Sequence, residues 1–150
     1  RRIIRAIELF KTTKITMTEH IKNSKTEASP YELTYFGLNG DRQYLYDRIN
    51  KRVDIMMEEG LVQEVISLKN MGLNLSHKSM QGIGYKEIYF YLENKYSQEE
   101  AIEKIKMESR RYAKRQLTWF RKDPRINWID ICKYKTKEEQ IGFILKEELL

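Results

Sequence analysis

Cysteine occurs once in this chain of 150 residues and histidine twice. A lone Cys132 excludes a disulfide framework and fits a reducing compartment. Together with His20 and His77 it cannot assemble a typical structural zinc site. No apolar run approaches the ~18–20 residues that a bilayer span needs. The opening Arg1-Arg2-Ile3-Ile4-Arg5 is not a secretory leader either. A G-x-x-x-x-G-K-[ST] phosphate loop is absent from the 150 residues. No Ser/His/Asp or Cys/His arrangement stands out as nucleophilic machinery. The paired acids Glu58-Glu59 and Glu99-Glu100 are neighbours on helices and do not face each other. They read as surface and capping residues. The chain carries candidates for ligand contact but no chemical engine of its own.

What is present is charge. One third of the residues are charged and 41% are apolar, with 28 Lys+Arg against 22 Asp+Glu and a net charge of +6. The pI is about 9.3 and the mean hydropathy −0.69. The length points to one domain, and the apolar fraction supports a core rather than global disorder. The positive balance is compatible with a polyanion partner.

Ile3, Ile4, Ile7 and Phe10 recur at helical spacing, so residues 1–10 read as a helix. It has no residue suited to cap its start, and the chain is expected to begin inside a larger protein. Residues 24–30 read as a loop, and Glu19-His20-Ile21-Lys22 as a short helical turn. Residues 33–38 form the first strand candidate, stopped by Asn39-Gly40. Asp41 caps a helix with the stripe Leu45, Ile49, Val53, Met56 and Met57. Gly60 interrupts it, and residues 61–71 continue as a second helix with Gly72 at its end. A glycine-punctuated stretch, residues 79–87, enters a helix ending near Leu92. Ser97 and Glu100 form a capping box that opens the longest helix, to about Arg121. Residues 126–131 are the second strand candidate. Thr136 to Glu139 is another capping box, starting a terminal helix to about Leu149. Two strands so far apart make no stable sheet alone. With helices between them, they are expected to join a parallel sheet whose other strands lie elsewhere.

The longest helix holds the charge. Residues 103–122 carry Lys104, Lys106, Arg110, Arg111, Lys114, Arg115, Arg121 and Lys122 against only Glu103 and Glu108, which accounts for the whole net charge of +6. At 100° per residue, Ile102, Ile105, Tyr112, Gln116, Trp119 and Phe120 fall within an arc of about 100°. Arg111, Lys114, Thr118 and Arg121 fall opposite, within about 80°. Such a cationic row suits nucleic-acid phosphates. A solvated surface face and a calmodulin-target or membrane-surface helix are the competing readings. Gln116 inside the apolar arc calls for a buried partner, a structural role or a substrate-facing role. On the Asp41 helix, Arg48 and Arg52 lie one turn apart and can bind a diphosphate. Alternatively they pair with Asp47 or Glu58. Gly82-Ile83-Gly84 followed by Tyr85-Lys86 suits close approach to an unpaired nucleotide. It equally suits a packing pair of glycines with a core tyrosine. Tyr89-Phe90-Tyr91 reads as core.

Five motifs then stand in order: Arg1 to Glu8, Asp41-Arg42 with Leu45 to Asp54, Gly60 to Val65, Gln81 to Glu87, and Arg110 to Arg121. Together they closely resemble the C-terminal half of the bacterial tRNA dimethylallyltransferase (tRNA isopentenyltransferase) family, most of all its low-GC Gram-positive members, over residues 1–131. The resemblance implies transfer of a dimethylallyl group from dimethylallyl diphosphate to N6 of adenosine 37, in tRNAs reading U-starting codons. It implies an α/β, P-loop nucleotide-kinase-like fold with a helical insertion gripping the tRNA anticodon stem-loop. This chain would be mostly α-helical, with about two short strands of a parallel sheet. Residues 1–30 would be the end of the insertion and residues 31–150 the C-terminal part of the core. The P-loop, a general-base Asp and the main Mg²⁺ contacts would belong to the half before residue 1. By motif, tRNA contacts carry over to Arg1, Arg2, Ile3, Ile4 and Arg5; to Gln81, Gly82, Ile83, Gly84, Tyr85 and Lys86; and to Lys114, Arg115, Gln116, Leu117, Thr118, Trp119, Phe120 and Arg121. Diphosphate contacts carry over to Arg48 and Arg52, and no metal ligand is assigned. In this reading Trp119 and Phe120 face the core. The protein is expected to be a cytoplasmic monomer without membrane attachment. The rival is a non-catalytic helical RNA-binding module. One departure is Lys14, where the family usually has a glycine.

Overall fold

The computed structural model describes residues 2–24 and 31–148. It divides into two compact units, Arg1–Thr34 and Tyr35–Leu150. The first unit holds α1 (Arg2–Thr13) and α2 (Met17–Asn23). Thr13 Oγ1 donates to Leu9 O at 2.8 Å, and the Lys14 N–H closes the last turn on Phe10 O at 2.9 Å. Lys14 then adopts φ +60°, which explains why a glycine is the usual occupant there. Thr16 caps α2 in a reciprocal box with Glu19. The short turn expected at 19–22 is thus a capped helix of seven residues. Most of the expected loop at 24–30 lies outside the described residues.

The second unit runs β1 (Tyr35–Asn39), α3 (Arg42–Glu58), α4 (Leu61–Asn70), a 3₁₀ turn (Lys78–Gln81), α5 (Tyr85–Leu92), α6 (Gln98–Phe120), β2 (Ile126–Asp130) and α7 (Lys137–Glu148). The strands pair in parallel, Tyr35 opposite Ile126 through Asn39 opposite Asp130. The helices between them form the long crossover that parallel strands require. Gly37 faces Trp128; a Cβ at Gly37 would stand 2.8 Å from the indole and 2.8 Å from Ile126 Cγ2, so the strand packs closely only without one. β1 starts at Tyr35 rather than Leu33. The ladder cannot extend upstream, because Pro124 has no N–H and the Arg125 N–H is taken by Asp123 Oδ1 at 3.1 Å.

The core of this unit is built by α3, α4, the 3₁₀ turn, α5 and α6. Val53, Val65, Met80, Ile88, Ala101 and Ile105 are buried within it. Two caps expected from sequence set the helix starts. Asp41 Oδ1 accepts from the N–H groups of Gln43 and Tyr44 at 2.8 and 3.1 Å. Ser97 and Glu100 exchange bonds of 2.8 and 3.1 Å. No helix among the described residues is long and apolar enough to cross a membrane. The aromatic run behaves as packing: Tyr89 and Tyr91 lie against the core, and Phe90 meets Tyr96 edge-on at 5.6 Å.

One expectation fails on α6. Trp119 does not face the core; it is 69% exposed, and Tyr112 is half exposed. The inward line instead runs through Ala101, Ile105, Ser109, Ala113 and Leu117. This is an i,i+4 ridge, which winds about 40° round the helix at each step. A fixed arc drawn through the large apolar residues leaves that ridge after two turns. It also overlooks the small residues that let α6 approach its neighbours. Phe120 does turn inward, meeting Tyr35 edge-on at 6.5 Å.

Candidate functional site

The eight cations of 103–122 separate into two groups. Those near the start of α6 are engaged. Lys106, largely shielded, holds Asp54 of α3 at 2.7 Å and Glu103 at 3.5 Å. The hydrogen bond that its ammonium donates to Asp54 keeps it above the usual lysine range. Arg110 donates to Asn50 Oδ1 at 2.5 Å, a second tie to α3. Arg111, expected on the polyanion face, pairs with Glu108 at 2.6 Å. Lys104 rests on the Tyr96 ring at 4.6 Å.

Towards the C-terminus the pattern changes. Lys114, Arg121 and Lys122 have no carboxylate partner among the described residues, and Arg115 lies over the Tyr112 ring at 5.7 Å. Lys114, Arg115, Thr118 and Lys122 surround the exposed Trp119 in a shallow cleft of about 280 Å³. An indole presented among cations offers a stacking face beside a phosphate-binding rim. A neighbouring cleft of about 260 Å³ joins Lys114, Thr118 and Arg121 to Arg42 and Tyr46. Arg42 Nε donates to Tyr46 Oη at 3.1 Å. Asn39 Oδ1 opens no surface to solvent and accepts no hydrogen bond from the described residues. Gln116 is exposed and has no buried partner among the described residues; with Leu117 and Phe120 it edges an apolar groove of about 360 Å³ along the sheet.

Arg48 and Arg52 do share a cleft, the largest of these at about 750 Å³, floored by Leu45, Ile49 and Val53. Neither takes the partner expected for it. Arg48 lies over the Tyr44 ring at 5.8 Å. Arg52 pairs with Glu59 at 3.2 Å, both side chains well exposed. Lys135 and Lys137 line the same cleft. Sequence reasoning overlooked these lysines, as it did Arg42 and Asn39. The available signal was the capping box at Thr136, which holds the two lysines on either side of a fixed turn.

In the Gln81–Lys86 stretch the two glycines differ. Gly84 is buried with φ +101°, ψ −61°, a conformation closed to residues with a Cβ. Its N–H donates to Glu87 Oε2 at 2.9 Å, and Glu87 is only 4% exposed. Gly84 therefore serves the entry of α5. Gly82 has φ −62°, ψ 151°, which any residue adopts, so local folding does not account for it. Gln81 Nε2 donates to Leu75 O at 2.9 Å. Tyr85 Oη donates to Glu64 at 2.6 Å, and that bond raises the phenol's pKa. Ile83, Tyr85 and Arg52 meet round one cleft of about 330 Å³. Lys86 is exposed, 3.9 Å from Glu87.

In the first unit, Arg2, Ile3, Ile4 and Arg5 are exposed on α1, and Arg5 reaches Glu8 at 3.5 Å. Arg1 lies outside the described residues.

Residues 1–123 match the model of the IPP transferase family. The chain belongs to that family. It is also similar to a solved tRNA Δ²-isopentenylpyrophosphate transferase of Staphylococcus epidermidis, at 39% identity and a TM-score of 0.75. That likeness covers 97% of this chain and 47% of the other. A second likeness is to the full-length tRNA isopentenylpyrophosphate transferase of Bacillus halodurans, at 42% identity and a TM-score of 0.66, over 84% of this chain and 45% of that one. The chain thus spans about half the length of these IPP transferases. The Gram-positive resemblance expected from sequence agrees with both sources.

Proposed function

We propose that this chain supplies the tRNA and prenyl-diphosphate contacts of an enzyme that transfers a dimethylallyl group to N6 of adenosine 37, in tRNAs reading U-starting codons. In the reaction, N6 attacks C1 of the dimethylallyl group. The C1–O bond breaks, its electron pair leaves with the diphosphate, and N6 loses a proton. Negative charge grows on the leaving group, and Arg48 and Arg52 offset it. The family's P-loop and its general base belong to the part that this chain does not span. Mg²⁺ belongs there too. No group of three His, Cys, Asp or Glu side chains suited to a metal occurs among the described residues.

The observation that carries the RNA reading is the end of α6, where Trp119 stands exposed among unneutralised cations. Phosphates of the anticodon stem-loop would lie on Lys114, Arg115, Arg121 and Lys122, and Trp119 would offer a ring to an unpaired base. These contacts offset the few kcal/mol that extruding a base costs. Gln81 to Lys86 and, separately, Arg1 to Arg5 would add further tRNA contacts, with residues 1–30 as the end of the helical insertion and residues 31–150 as part of the core. The enzyme acts in the cytoplasm as a monomer.

The test compares an anticodon stem-loop carrying adenosine 37 with a fully paired duplex of equal length, in equilibrium binding to this chain. A preference for the stem-loop is expected, and equal affinity would overturn base recognition. Incubated with tRNA and dimethylallyl diphosphate, the chain alone should yield no prenylated adenosine. Product would contradict the assignment of catalysis to the rest of the enzyme.

A further inference from the structure

We propose that Lys135 and Lys137, at the entry to α7, are anion-binding residues of the cleft that holds Arg48 and Arg52. They form the second wall of a site for a small diphosphate with a short hydrocarbon tail. The proposal rests on the diphosphate reading of Arg48 and Arg52, and it concerns residues beyond the 1–123 that match the family model.

Four cationic side chains border this cleft of about 750 Å³, and no carboxylate of the described residues lines it. Arg48 and Lys137 have no acidic partner among the described residues, and the one carboxylate that feels the charge of Lys135 is Glu139, which is bound to the backbone of the turn and does not line the cleft. The Arg52–Glu59 pair is solvent-exposed, so an incoming anion displaces Glu59 at little cost. Like charges gathered round one concavity repel each other, and folding gains nothing from the gathering. An anion in the cleft reverses that sign.

The turn that carries the lysines is held in place. Glu139 Oε2 accepts from the N–H groups of Lys135 and Thr136 at 2.7 and 3.0 Å. Thr136 Oγ1 accepts from Glu139 N at 3.1 Å, and Gln140 Nε2 donates to Tyr134 O at 2.9 Å. The backbone on either side of Thr136 is therefore fixed, and only the lysine side chains remain to be ordered. Fewer rotors frozen on binding means more of the contact energy appears as affinity.

The lining selects the class of anion. The floor is aliphatic, from Leu45, Ile49 and Val53, while the rim is cationic. That arrangement suits a ligand with an apolar tail and a compact polyanionic head. A run of RNA phosphates instead suits the exposed face at the end of α6.

Calorimetric titration of the full 150-residue chain with inorganic pyrophosphate tests this. The wild type should bind. Lys135→Gln/Lys137→Gln should weaken binding about tenfold or more with an unchanged thermal midpoint. Lys146→Gln, on the same helix but away from the cleft, should leave affinity unchanged. Wild-type affinity in the double lysine variant, with loss in Arg48→Gln/Arg52→Gln, would overturn the proposal and leave the diphosphate reading standing. No pyrophosphate binding by the wild type would overturn both. If the double lysine variant instead lost stem-loop RNA binding and kept pyrophosphate, the cleft would be an RNA surface and the proposal would fall.

Discussion

The two ends of α6 are built from the same residue types and used differently. Near its start, Ala101 and Ile105 are buried, and Lys106 and Arg110 reach across to Asp54 and Asn50 of α3. These cations fasten one helix to another. Near its end the inward ridge is thin, Trp119 is exposed, and Lys114, Arg121 and Lys122 have no acidic partner among the described residues. Net charge alone does not single out a candidate binding face. Charge left unneutralised among the described residues does, and it is the ground of the RNA reading proposed for the end of α6.

The sharpest test of that division is a pair of substitutions. Ile105→Ala should cost about 2–5 kcal/mol of stability, because the site is fully packed. Trp119→Ala should change stability by no more than about 0.5 kcal/mol and weaken stem-loop binding by about 1–3 kcal/mol. Urea unfolding and a binding isotherm on each variant separate the two effects, and a large stability loss in Trp119→Ala would erase the distinction. The glycines offer a second such pair. Gly84→Ala should lose about 1–3 kcal/mol, since its backbone conformation excludes a Cβ. Gly82→Ala should fold normally and show any defect only towards RNA.

A smaller effect is expected at the join between α6 and α3. Lys106→Gln should lower stability by about 1 kcal/mol without altering how RNA binding depends on salt. The smallest effect is one of pH, at the turn that follows α6. Hydrogen bonds from the Arg125 side chain and backbone hold the Asp123 carboxyl down at about 2, from an ordinary 3.8. A depressed carboxylate stabilises the fold above its unfolded pKa, and the contribution disappears as pH falls from 3.8 through about 2. Carboxyl NMR titration should find this value, and Arg125→Ala should return Asp123 to the ordinary carboxylate range.

Helix starts were legible in the sequence because their signals are local. Asp41, Ser97, Thr136 and their partners lie within one turn of each other, and each makes its expected bonds. The parallel pairing of the strands followed from the helices between them. The facing of α6 was not legible at its C-terminal end. A helical wheel assumes a straight stripe, whereas the packed ridge winds and passes through Ser109 and Ala113. Which cations were free was not legible either. Lys106 finds Asp54 and Arg110 finds Asn50 only once α3 and α6 are packed. Arg48 and Arg52 were visible one turn apart on a single helix. The lysines across their cleft come from residues 135 and 137, brought there by the crossover and by β2.

The most direct test of the account is stem-loop RNA binding measured against salt concentration for three proteins: wild type, Lys114→Ala/Arg121→Ala and Lys106→Gln. Each lost phosphate contact should reduce the slope of log K against log salt by about 0.7–0.9. The double variant should therefore bind less tightly with a clearly shallower slope, while Lys106→Gln keeps the wild-type slope. Equal slopes for all three would contradict the claim that the free end of α6 is the RNA-binding face.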